Sequence, residues 1–132
     1  MRPLLWAATF LSGCICGPAA SSTDIRTAQL EQTADGKGQV RLSTSLGCDA
    51  SADAFLVKLG EPLAAGRWGS VEKRGTLTWC EAGRCGAVSG LKSWSVTVSG
   101  TAPAEQVAYS IDQSATLERR MVASSLGATR CP

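Results

Sequence analysis

Ser93-Trp94-Ser95-Val96-Thr97-Val98-Ser99 puts an apolar residue at every second position and a hydroxyl-bearing one between. Successive side chains of an extended backbone point to opposite faces, so a period of two marks a strand with one face buried and one wet. Val107-Ala108-Tyr109-Ser110-Ile111 repeats the pattern after a loop, Gly100 to Glu105, that holds Pro103. Two alternating runs separated by a short Gly/Pro segment read as two strands and a loop.

The same signal extends in both directions. Ile25 to Thr33 reads as a first strand, closed by the turn Asp35-Gly36-Lys37-Gly38. Val40, Leu42, Thr44 and Leu46 alternate with Arg41, Ser43 and Ser45; Phe55, Val57 and Leu59 follow after a loop from Asp49 to Asp53. Pro62 stops that strand, because proline cannot donate to a ladder. Leu63 to Gly69 reads as irregular. Gly75 to Cys80 and Cys85 to Ser89 flank Glu81-Ala82-Gly83-Arg84 and read as a hairpin with a four-residue loop. Ala115 to Leu126 fits two patterns. Leu117, Arg119 and Met121 suit a strand, whereas Leu117, Met121, Val122 and Leu126 before Gly127 suit a helix; we expect a strand that frays into a tail. About seven short strands with a turn roughly every ten residues is the pattern of an all-β, antiparallel sandwich.

The front of the chain is different. Met1-Arg2 is followed by an apolar run from Leu4 to Ile15 and by the small residues Gly17, Ala19, Ala20 and Ser21. This is a secretory signal, expected over residues 1–20, with a single domain over 21–132. The apolar run is too short for a membrane helix, which needs about 20 residues. Leu11-Ser12-Gly13-Cys14 offers a second cut, after which Cys14 is lipidated and the protein is an outer-membrane lipoprotein. Cysteine arithmetic favours the first. Cleavage near Ala20 leaves an even set, Cys48, Cys80, Cys85 and Cys131, as suits two disulfides in an oxidising periplasmic or extracellular space. Cleavage before Cys14 leaves Cys16 unpaired.

Cys80 and Cys85 flank the hairpin loop and are expected to bridge across it, which leaves Cys48 for Cys131. In the chain-entropy model the small loop is worth about 2 kcal/mol and the long one about 4.5 kcal/mol. Four intervening residues do not make a redox Cys-x-x-Cys, and one close pair does not make a Cys₄ zinc site.

Composition narrows the function. The chain has 132 residues and a formal net charge of +2, no basic stripe, and neither His nor Asn. Without His there is no Ser-His-Asp or Cys-His set and no HExxH zinc motif, so catalysis is not expected, nor any cofactor. The even charge argues against nucleic acid as partner. Membrane contact is expected only if Cys14 is lipidated, and the protein is expected to be a monomer. Asp49 and Asp53 share a Ser/Ala loop and read as turn residues. Lys58, Arg67, Lys73 and Arg74 gather around Trp68, the one mature-chain tryptophan outside a periodic segment. They are the candidate partner-binding residues, with Trp68 as aromatic anchor. A solvated loop is the plainer reading of those charges. Arg119-Arg120 reads likewise, and Trp79 and Trp94 read as core.

From Leu91 through Trp94, Val96 and Val98 to Val107, Tyr109, Ile111 and Leu117-Glu118, the chain resembles the periplasmic curli-assembly chaperones of the CsgC/CsgH type. A looser likeness covers Ile25, Val40 to Leu46, Phe55 to Leu59 and Arg67 to Trp79. The resemblance implies an immunoglobulin-like sandwich that delays polymerisation of an exported amyloid subunit. Only Cys48 stands where one branch carries Cys-x-Cys, so no redox role is carried over. The alternative is a secreted or lipid-anchored binding module of the hydrolase-inhibitor or adhesin type, with Gly66-Arg67-Trp68-Gly69 as an inserting tip.

Overall fold

The structure is a computed structural model that describes residues 25–114 and 121–132. The signal segment, Cys14, Cys16, Leu117 and Arg119-Arg120 lie outside the described residues. Nine strands are described, and no helix: β1 Thr27–Gln32, β2 Gly38–Ser43, β3 Ala54–Lys58, β4 Gly66–Gly69, β5 Thr76–Glu81, β6 Arg84–Ala87, β7 Ser93–Ser99, β8 Gln106–Asp112 and β9 Met121–Arg130. They form one curled mixed sheet in the order β4-β7-β8-β9-β1-β2-β3-β5-β6.

The alternating residues make the core. In one arm Trp94, Val96 and Val98 of β7 sit opposite Ile111, Tyr109 and Val107 of β8. In the other, Leu42 of β2 pairs with Ala28 and Phe55, and Val40 with Leu30 and Val57. Trp79 of β5 lies opposite Phe55, edge to face, with ring centroids 4.7 Å apart. Both arms contribute to a single hydrophobic cluster. The sheet therefore curls around its own apolar side.

Four features differ from the sequence reading. Gly66 to Gly69 is a strand, β4, paired antiparallel with β7 from Gly66↔Val98 to Gly69↔Ser95. Four residues with a single large apolar side chain carry too little periodicity to register. The hairpin loop is two residues, Ala82-Gly83, not four. Both have positive φ, 50° and 81°, as a two-residue turn matched to strand twist requires. The second strand ends at Ser43, and Leu46 is 72% exposed. The Thr44 N–H still donates to the Asp53 carbonyl at 3.0 Å, one step further along the β2–β3 register, and the chain bends away from there. The last strand does not fray. It runs to Arg130 and changes partner: Met121 to Gly127 pair antiparallel with β8, and Ala128 to Arg130 pair in parallel with Ala28 to Leu30 of β1. The sheet is thus mixed and not purely antiparallel.

The loop 44–53 folds back over the outer face of β1 and β2. The Gln29 amide donates to the Gly47 carbonyl and the Thr27 hydroxyl to the Ser45 carbonyl, each at 2.8 Å. Arg41, whose neighbours on the ladder are Gln29 and Leu56, is only 8% exposed although it faces away from the core. Its Nε lies 3.3 Å from the Glu31 carboxylate, which matches the rule that a buried charge keeps a partner.

Candidate functional site

Two regions stand out on the surface: the basic cluster around Trp68, and the outer side of β9.

At the first, the structure gathers most of what the sequence suggested, with one reversal. Trp68 is 1% exposed and belongs to the core cluster. Its ring faces in because β4 lies in the sheet, so it is neither an exposed anchor nor an inserting tip. Its indole N–H donates to a Glu61 carboxylate oxygen at 3.0 Å. Arg74 donates to the same oxygen at 2.8 Å and stacks over the indole. Arg67 donates to Glu72 at 2.9 Å and accepts on its carbonyl from Arg74. Arg74 foremost, then the Trp68 N–H, holds the Glu61 carboxyl below its ordinary pKa. Both arginines are thereby satisfied within the fold. Lys58 is exposed at the end of β3, and Lys73 sits in the turn after β4 with φ 54°. The Lys58 carbonyl lies 3.0 Å from where a Cβ on Gly75 would stand, so the two lysines share one end of the molecule. The patch is a structural knot with two lysines beside it.

Asp49 accepts from the N–H and hydroxyl of Ser51, which lowers its pKa, and so serves as a turn residue. Cys48 and Cys131 lie at bridging distance with Cα atoms 5.8 Å apart, and Cys80 and Cys85 likewise at 4.0 Å. Cys80 and Cys85 are direct cross-strand partners. These pairings are the ones the spacing suggests, and they fit an oxidising, exported compartment. The long-range pair ties the covering loop to the end of β9.

The second region was not picked out from sequence. The Ala128 N–H donates to the Glu105 carbonyl of the β8 chain at 2.8 Å. The β8–β9 register is unbroken from Met121↔Asp112 to Gly127↔Gln106. Antiparallel pairs alternate between bonded and non-bonded. Val122, Ser124 and Leu126 therefore bond β8, while the backbones of Ala123, Ser125 and Gly127 aim the other way. On that side the Cys131 N–H reaches the Leu30 carbonyl of β1 at 3.0 Å. From Met121 to Gly127 no described strand pairs with this edge. The segment carries no charge and no proline. Val122, Leu126 and Ala128 are only partly buried against the core, and Met121 is 61% exposed. By contrast the outermost strands, β4 and β6, are four residues each and carry Arg67 and Arg84. A long, uncharged edge is the kind that natural sheets otherwise guard. Its signal in the sequence is the charge-free run itself.

Among the described residues no helix is long and apolar enough to cross a membrane. No family model, curated protein or solved structure matches the chain.

Proposed function

We propose that the protein is an exported, disulfide-tied binding domain that accepts an extended segment of another protein on the edge of β9 that no described strand pairs. The carrying observation is that edge: the outward backbones of Ala123, Ser125 and Gly127, beside the half-covered Val122 and Leu126. A strand added there would satisfy backbone groups and cover apolar surface together, which is how strand addition gains affinity. Two arms around one core suit an immunoglobulin-like sandwich, and the resemblance to curli-assembly chaperones suits a client of the amyloid class, met in the periplasm. A charge-free edge lined with small residues is sequence-tolerant, as a chaperone's site must be. The reading is of binding and not of catalysis.

The test is polymerisation of the curli subunit, followed by thioflavin fluorescence, with the mature protein present at substoichiometric amounts. A lengthened lag supports the proposal. An unchanged lag at equimolar protein overturns it. The lysines Lys58 and Lys73 contribute long-range attraction to acidic clients, and raised salt should weaken that part alone.

A further inference from the structure

We propose that, without a client, the edge of β9 from Met121 to Gly127, which no described strand pairs, closes on a second copy of this chain in an antiparallel, two-fold pairing centred on Ser124. This rests on the edge geometry and goes beyond the client reading, which it does not need.

The edge is self-complementary. Pairing Ser124 with its symmetry mate sets Ala123 opposite Ser125 and Met121 opposite Gly127 of the second copy. All of these outward-pointing residues are odd-numbered, so the groups that meet are the ones left unbonded by β8. The even-numbered residues fall into register on the core side. Val122 meets Leu126 of the second copy, and Leu126 meets Val122. Two half-covered apolar residues in each chain thus cover one another. On the outer side the exposed Met121 lies over Gly127, which has no side chain to obstruct it. No charge falls within the seven residues, so the two-fold axis brings no like charges together. A shift by two in either direction loses a pair at one end and breaks the Val122–Leu126 match. The pairing is bounded at Ala128, where β1 takes over the edge, so the seven residues from Met121 to Gly127 define its length. A two-fold, isologous contact of this kind closes on itself and does not propagate.

The experiment is light scattering on the mature, oxidised protein over a dilution series, beside two variants. Ala123→Pro removes an N–H that points at the open side, so the β8 ladder keeps every bond. Ser125→Lys places a charge on the edge, diagonal to its mate across the axis. The expected result is a mass that doubles with concentration in the parent and stays at one chain in both variants, with unchanged circular dichroism. Should Ala123→Pro fail to fold, Ser125→Lys alone decides. A parent mass of one chain at every concentration overturns the proposal. So does a dimer that persists in the folded variants. A dimer with no effect on the amyloid lag leaves this pairing standing and removes the client reading; the converse removes only the pairing.

Discussion

Arg74 lies over the indole of Trp68, with its guanidinium carbon 5.0 Å from the ring centroid, and both donate to Glu61. The arginine thus covers a core side chain instead of advertising it. Trp68→Ala should cost about 3–5 kcal/mol, the usual range for an aromatic removed from a core. Urea unfolding measures this. A variant as stable as the parent would mean that Trp68 is a surface residue.

The two cysteine pairs should differ in weight. Cys48→Ala/Cys131→Ala opens a loop of 83 residues' separation and should cost about 4.5 kcal/mol. Cys80→Ala/Cys85→Ala opens a separation of 5 and should cost about 2 kcal/mol. The long-range pair also holds the loop that buries Arg41, so its loss should speed proteolysis between Thr44 and Asp53. Equal midpoints for the two double variants in urea would contradict this.

Strand alternation was legible, and so was the core. Trp94, Val96, Val98, Val107, Tyr109 and Ile111 all face inward as their spacing requires. Three things were not legible. Trp68 lacked periodic neighbours, because its strand is only Gly66 to Gly69. Leu46 had the right parity for a strand that had already ended, since the chain bends out of the sheet after Thr44, whose partner Asp53 lies nine residues away. The switch of β9 from β8 to β1 depends on which strand lies beside Ala128, a tertiary fact with no local signature. The open edge follows from that switch.

The turn at Ala82 offers a stabilising change. Ala82 adopts φ 50°, a left-handed conformation that Asn and Gly tolerate better than Ala. Ala82→Asn should raise stability by up to about 1 kcal/mol, read as a higher thermal midpoint. A lower midpoint would show that the loop is not of the two-residue form.

Acid should unfold the protein through its paired carboxylates. Glu105 is 7% exposed and ion-paired with Arg130, which holds its pKa below the ordinary value. A depressed folded pKa adds stability above the unfolded pKa of about 4.3, and that stability is lost as pH falls through the folded value. The thermal midpoint should be flat from neutral pH to about 5 and fall below about 4. Glu105→Gln should be less stable at neutral pH and show a shallower acid limb. An acid limb of parental steepness in that variant would assign the loss elsewhere.

A client strand added to β9 would bond the backbone groups from Met121 to Gly127 that no described strand pairs. Residue-resolved amide hydrogen exchange, on dilute protein with and without unpolymerised curli subunit, reads those groups one by one. In the free protein Val122, Ser124 and Leu126 should exchange slowly, while Ala123, Ser125 and Gly127 exchange fast. With the client, Ala123, Ser125 and Gly127 should become protected as well. Protection that leaves these three amides unchanged and falls instead around Lys58 and Lys73 would place the client on the lysines and not on β9.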